Sequence, residues 1–571
     1  MTCRHLIAAP LLAGSLILAF VAGLSGRHTP DIGREGMVAS AEVHATAAGF
    51  EILTAGGNAA DAAVAVGFAL AVTYPAAGNL GGGGFLVFRS AEGAVSTLDY
   101  RETAPQAATA NMFLGPDGEP VPELSTRSLL ASGVPASVAG MLETFERFGG
   151  GKLSLARVLA PAIRLAEEGF PVYQELAEGL ADDRERLAAI PATAALLYPG
   201  GRQLRTGEIF RQPDLARVLR EIAGRGRDGF YRGWVADSLH NFMQQGGGLI
   251  TRDDLARYQA KPRPPIIVSY KEYRLYGMAP PSSGGVTLGQ ILGLVEPFDL
   301  ISLGRNSAPY ANRLVEAERL AFADRNHFLA DPDFVDVPLA GLLSAEYLAG
   351  RRLLMPSGRA GSSRQAGPGR PEPGQTTHFC VVDKWGGAAS VTTTLNGGFG
   401  NGCVVPGCGF FLNNEMDDFT AAPGRPNIAG LVMGRANAVA PGKRMLSSMT
   451  PTIVTRVGDN GAEKLFLALG ASGGPTIITS VLQVFLNVVH FGLNVREAVD
   501  AARFHHQHLP DVITAEPEAF SRETRAALEA MGYEIGERKY IGRVSAVRVR
   551  EDGLLEGWAD GAGSGSGTGW R

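Results

Sequence analysis

The chain has 571 residues, a hydrophobic fraction of 45% and a net charge of −5, which allows a large core in one interwoven unit or in several domains. The near-balanced charge excludes a basic nucleic-acid footprint and a polyacidic tail. Glycine, at 75 residues, is well above its usual share of ~7%, and its clusters at Gly81 to Gly84 and Gly473-Gly474 point to tight turns and close backbone approach rather than disorder.

At the N-terminus, Arg4 and His5 precede an apolar run from Leu6 to Leu24, followed by Ser25-Gly26 and a polar stretch, the layout of a secretory signal. The run is also near the ~18–20 residues that span a bilayer, so residues 1–26 read as a signal peptide or as an N-terminal anchor. Either way the remainder is expected to be exported: periplasmic or secreted, and membrane-anchored if the segment is not cleaved. Val38 to Leu53 reads as a helix that stops at Gly56-Gly57. Asn58 caps a second helix, Ala59 to Tyr74, apolar nearly all round and therefore buried, which Pro75 ends. The glycine run after Asn79 leads into a strand rather than joining strand to helix, so it reads as a tight turn beside the core, not a phosphate loop.

A further strand begins at Thr97 and runs out at Arg101-Glu102, where a lone arginine usually means a solvated charge. Ser132 to Leu255 is mostly helical in pattern. Strands return at Ile266 to Tyr270 and Tyr273 to Gly277, then a Pro280-Pro281-Ser282-Ser283 loop and a helix from Asn312 to Asn326. Between Arg351 and Gln375 the composition turns to Gly, Ser, Pro and Arg; residues 355–375 have little to bury and read as a flexible linker.

Two short strands follow, from His378 to Asp383 and from Ala388 to Leu395, joined by a Lys384-Trp385-Gly386-Gly387 turn. Thr376 stands where linker meets strand. If the peptide bond before it were cut, its freed α-amino group, with an unperturbed pKa of about 7.7–8.0, would lie beside its own hydroxyl as a base. Cys403 and Cys408 flank Val-Val-Pro-Gly, a spacing equally suited to a small disulfide loop or to two buried hydrophobes; no matching ligand pair supports a metal site. Glu415 and Asp418, three residues apart, read as surface charges or as a glycosidase-type carboxylate pair. Gly473-Gly474 reads as a strand-to-helix turn before Pro475. His505, His506 and His508 allow a metal or a structural reading, and the Gly/Ser-rich end from Gly557 reads as a frayed tail.

The blocks GGNAADAAVA, LDYRETAP, GLITRDDLARY, PPSSGG, TTHFCVVD, TLNGGFGNG, FLNNEMDDF, PGKRMLSSMTPTIV, GASGGPTIITSVLQV and ARFHHQHLPD resemble, in order, the signatures of the γ-glutamyltranspeptidase family from Gly36 to about Pro510. The resemblance implies an α/β, four-layer αββα sandwich of the N-terminal-nucleophile hydrolase type, formed jointly by two subunits. It implies self-cleavage between Gln375 and Thr376, giving a large subunit of residues 27–375 and a small catalytic subunit of 376–571. Thr376 is then the nucleophile, with Thr377 the local alternative. Thr394 orients its hydroxyl, and the Gly473 and Gly474 N–H groups receive the oxyanion. Arg101, Ser447 and Ser448 match a clamp for the substrate α-carboxylate; Asn396, Glu415 and Asp418 match a cradle for its α-ammonium. The implied donors are glutathione and other γ-glutamyl compounds, resolved by water or by an amino acid or peptide acceptor, with no cofactor. Residues 423–434 correspond to a lid, and Ala429 stands where some members place an aromatic gate. The competing readings are a cephalosporin (glutaryl) acylase or poly-γ-glutamate hydrolase of the same fold, and a silent binding scaffold.

Overall fold

The computed structural model describes residues 29–363, 375–560 and 566–570. The expected signal or anchor at 1–26 and most of the expected linker, 364–374, lie outside the described residues. Among the described residues no helix is long and apolar enough to cross a membrane.

Two seven-stranded antiparallel sheets stack face to face. The first runs, in spatial order, Ser566–Trp570, Gly36–Ser40, Gln375–Asp383, Ala388–Asn396, Gly83–Arg89, Val95–Tyr100 and Lys261–Arg263. The second runs Asp31–Gly33, Leu555–Ala559, Arg543–Val549, Glu463–Ser472, Thr452–Val457, Tyr273–Gly277 and Ile266–Tyr270. Strands buried on both faces lose polar alternation, and Ala388–Asn396 is buried at every position. Between the sheets lies a small core that includes Met37, Val87, Cys380, Ile453, Ala468 and Val547.

Helices cover both outer faces. Ala59–Thr73 packs on the first sheet; an Asn58–Asp61 capping box closes its first turn, and every residue in it is buried. Gly284–Val295, Ala308–Phe328 and Thr476–Val489 pack on the second sheet, around Leu467, Leu469 and Ala546. The architecture is thus a four-layer αββα sandwich.

Two readings from the sequence need correction. The helix expected from Val38 begins only at Val43, because Gly36–Ser40 is a strand, hydrogen-bonded on one side to Phe379–Asp383 and on the other to Ser566–Trp570. Sheet pairing on both sides overrides the local helical pattern of this Ala-rich stretch. The tail expected to fray supplies the strand Ser566–Trp570, which covers what would otherwise be an open edge at Gly36–Ser40. Ahead of the undescribed stretch, residues of the expected linker are tied to the body: Gly361 N–H donates to Glu316 at 2.9 Å and Ser363 N–H to Asp511 at 2.7 Å.

Candidate active site

The hairpin Gln375–Asp383 and Ala388–Asn396 sits in the middle of the first sheet and sets Thr376 opposite Thr394. A register irregularity falls between Gln375 and Thr376, so the ladder is broken at that one peptide bond. Thr376 Oγ1 donates to Thr394 Oγ1 at 3.4 Å, and Thr394 Oγ1 also accepts the Asn396 N–H at 2.7 Å. Asn79 holds this end of the hairpin from the side, its Nδ2 donating to the Thr394 carbonyl at 2.9 Å and its Oδ1 accepting the Gly82 N–H at 2.8 Å. The glycine turn is needed for that approach: a Cβ on Gly82 would stand 2.0 Å from the Thr394 carbonyl oxygen. Two residues along the strand from Thr376, burial pushes the His378 imidazole down to about 3, so the ring is neutral.

A narrow cleft opens above this hairpin, lined by Arg101, Arg325, Thr376, Thr394, Asn396, Asp418, Ala429, Leu431, Ser447, Ser448 and Gly474, among others. Thr376 lines the cleft; Thr377 does not, and its hydroxyl is buried without a hydrogen-bond partner. Gly473 and Gly474 make the turn between Glu463–Ser472 and Thr476–Val489, at φ of 126° and 63°. Neither N–H donates to another protein atom among the described residues, and of the two Gly474 lines the cleft.

The charges of the cleft differ from the usual solvated arginine at a strand end. Arg101 is only 1% exposed and is held by carboxylates: Nη1 lies 2.5 Å from Glu415 Oε2 and Nη2 2.5 Å from Asp418 Oδ2, with Glu102 at 3.5 Å. Burial works against the guanidinium charge, but Glu415, Glu102 and Asp418 outweigh it and hold the group above its ordinary range. Burial pushes the Glu415 carboxyl up to about 7 despite Arg101, and raises Asp418 as well. Burial with the nearby Glu415 also raises Glu102 far above the carboxylate range. Of the residues expected to form clamp and cradle, Arg101 is bound to Glu415 and Asp418, while Ser447, Ser448 and Asn396 have other partners. Asn396 donates its Nδ2 to the Asn414 carbonyl at 3.1 Å from a backbone at φ 73°. Ser447 and Ser448 line the same cleft, and Arg101 Nε donates to the carbonyl of nearby Met445 at 3.3 Å.

Over the cleft, the stretch 423–434 is pinned by two acidic neighbours. Asn427 Nδ2 donates to Asp418 Oδ1 at 3.1 Å, while its Oδ1 accepts the N–H groups of Ala429 and Leu431, each at 3.0 Å. Asp417, pushed up to about 7 by burial, accepts from the Ile428 N–H at 2.7 Å and from Ser125 Oγ at 2.6 Å. Ala429 is itself buried and lines the cleft.

Comparison with known proteins gives this geometry a family. The gamma-glutamyltranspeptidase family model matches residues 45–570. The chain is 46% identical over 531 residues to a glutathione hydrolase proenzyme of Escherichia coli (strain K12), covering 92% of this chain and 90% of the relative. It belongs to the gamma-glutamyltranspeptidase family. Among solved structures, a cephalosporin acylase from Bacillus halodurans superposes with a TM-score of 0.83 at 29% identity, covering 95% of this chain and 97% of that one. A Helicobacter pylori gamma-glutamyltranspeptidase chain is 42% identical with a TM-score of 0.56, covering 57% of this chain and 93% of its own length. A gamma-glutamyltranspeptidase is an acyl-transferring enzyme, and the cleft of this member brings together hydroxyls, a glycine turn and buried charges.

Three further residues of this gamma-glutamyltranspeptidase were not singled out by sequence reasoning: Arg325, Asp417 and Asn427. Arg325 lies on Ala308–Phe328, most of which is buried, so its charge faces the interior rather than solvent. His505 is engaged with Thr479 and Gln507, and His506 with Asp511, as structural groups. Cys403 and Cys408 are buried free thiols within the outer core of the first sheet. Glu415 and Asp418 are not surface charges: Asp418 lines the cleft, and Glu415 is fully buried behind it against Arg101.

Proposed function

We propose that this enzyme is exported through residues 1–26, to the periplasm or beyond, and matures by cutting itself between Gln375 and Thr376. The large part, 27–375, and the small part, 376–571, remain joined because each of the two seven-stranded sheets draws strands from both sides of the junction. The freed Thr376 amine takes the proton of its own hydroxyl, oriented by Thr394. The oxygen attacks the γ-carbonyl of a γ-glutamyl donor such as glutathione, and the Gly473 and Gly474 N–H groups receive the oxyanion. Expulsion of the amine product leaves a γ-glutamyl ester on Thr376. Water resolves it to glutamate, and an amino acid or peptide amine resolves it to a new γ-glutamyl compound.

The observation that carries this reading is the buried ion pair beside Thr376, in which Arg101 is held between Glu415 and Asp418. A γ-glutamyl head is a zwitterion. It offers a carboxylate to the cation and an ammonium to the two acids, and so exchanges one internal pair for two external ones without burying a net charge. The acylase reading has the 0.83 superposition in its favour, but a glutaryl group has no ammonium and leaves Glu415 and Asp418 without a task. The test is release of p-nitroaniline from γ-glutamyl-p-nitroanilide, with and without glycylglycine. Turnover that rises with glycylglycine is expected; turnover of glutaryl-p-nitroanilide equal to that of the γ-glutamyl compound overturns the assignment.

A further inference from the structure

Arg325 is a second buried guanidinium in the cleft, 1% exposed, and unlike Arg101 it joins no ion pair among the described residues. Its hydrogen-bond partners are all neutral: Nε donates to Ser283 Oγ, Nη1 to Asn326 Oδ1 and Nη2 to Ser448 Oγ, each at 2.9 Å. Burial lowers it to about 10, with Asp418 the one charge that opposes the shift. A buried cation without a counter-ion is costly unless a ligand supplies the charge.

The hydrogen-bond polarity around it says which ligand. An arginine only donates, so Ser448 Oγ is an acceptor toward Arg325, and its own proton is left for a partner in the cleft. Ser447 Oγ is likewise an acceptor toward the Met449 N–H at 3.1 Å. Ser283, held by Arg325, donates its hydroxyl to the Ser447 carbonyl at 2.6 Å and fixes that stretch of chain. Two hydroxyl donors backed by one uncompensated cation form a receptor for a single anionic group. Arg101, the other cation of the cleft, is shared with Glu415 and Asp418 until a donor enters.

We propose that Arg325 is a specificity-determining residue: it sets the Ser448 hydroxyl as a donor and supplies the counter-charge for the α-carboxylate of the donor substrate. The inference rests on the γ-glutamyl reading of the site and adds the group that makes one carboxylate on the substrate obligatory.

The experiment compares wild type, R325M and R325K on γ-glutamyl-p-nitroanilide and on 4-aminobutanoyl-p-nitroanilide, which keeps the ammonium and lacks the α-carboxylate. Cleavage into two chains serves as the check that each variant folds. R325M is expected to raise KM for the γ-glutamyl donor roughly 10- to 100-fold with kcat within about threefold, the pattern of lost binding. R325K, which keeps the charge but not the fork, is expected to recover most of the KM loss. Turnover of 4-aminobutanoyl-p-nitroanilide is expected to change by less than about threefold, so selectivity between the two anilides collapses. An unchanged KM in R325M, or an equal loss against both anilides without rescue by lysine, overturns the proposal. Should the carboxylate-free anilide be inert to all three proteins, the KM effect and the lysine rescue decide alone. Wild type inert toward γ-glutamyl-p-nitroanilide would instead refute the reading of the function itself.

Discussion

Asn427→Ala removes the pin between lid and cleft. The side chain makes three hydrogen bonds, one to the Asp418 carboxylate and two from the Ala429 and Leu431 N–H groups. Each backbone bond contributes about 1 kcal/mol and the bond to a charged group about 1.5–3 kcal/mol, which sets a ceiling near 4–5 kcal/mol. Asn427 is half-buried and water replaces part of what is lost, so about 2–3 kcal/mol is the working figure. That corresponds to a ~30- to 150-fold shift toward the open lid. Ile428 remains fastened to Asp417, Ala429 to Gln507 and Gly434 to Asn326, so the loop loosens locally and does not detach. Amide hydrogen exchange followed by mass spectrometry reads this directly: peptides containing Ala429 and Leu431 are expected to exchange faster by that factor, while those from the Gln375–Asp383 hairpin do not change. The freed Asp418 is expected to raise the donor KM as well. Unaltered exchange across 423–434 would refute the claim that Asn427 holds the lid.

Other variants probe the remaining parts. Thr394→Val keeps a strand-forming shape but removes the hydroxyl bonded to Thr376 Oγ1; kcat is expected to fall ~5- to 30-fold, as for a bond worth about 1–2 kcal/mol, with donor KM nearly unchanged in steady-state assays. Gly473→Ala forces a side chain onto a backbone at φ 126°, with its Cβ 2.5 Å from Thr476 Oγ1 and 2.9 Å from Gly542 Cα. Strain alone contributes about 1–3 kcal/mol, so the unfolding temperature should drop and activity should fall by more than ~100-fold through the displaced amide. Because burial pushes Glu415 up to about 7, its ionised form, which attracts the donor ammonium, is lost as pH falls through that value. Donor kcat/KM is therefore expected to fall below about pH 7, and Glu415→Gln to flatten that limb. Stability runs the opposite way. The unfolded chain releases this proton near its ordinary ~4.3, so between there and about 7 the Glu415 contribution declines as pH rises, which thermal unfolding at several pH values will show.

The elements around the nucleophile were legible because their signals are local. Asn58 caps a helix wherever its side chain can reach the next turn, and β-branched runs such as Val391 to Thr394 read as strand without context. Gly36–Ser40 and Ser566–Trp570 were not legible, since Gly36–Ser40 is a strand through partners on both sides that are distant in sequence, and Ser566–Trp570 is one through Gly36–Ser40. Arg101 shows the same limit at the site. A strand-end arginine reads as solvated until Glu415 and Asp418, more than 300 residues later, are folded against it. Ordered family motifs supplied the clamp and the cradle as two sets. That Arg101 of the one set binds Glu415 and Asp418 of the other, and that Arg325 stands without a counter-ion, depends on three-dimensional burial that no spacing encodes.

The account turns on a new chain start at Thr376, and intact mass with N-terminal sequencing of the purified, active enzyme measures it. Two chains are expected, the smaller beginning at Thr376, and Thr376→Ala should give one uncut chain without turnover. A single uncut chain with full activity, or an active Thr376→Ala protein, would contradict it.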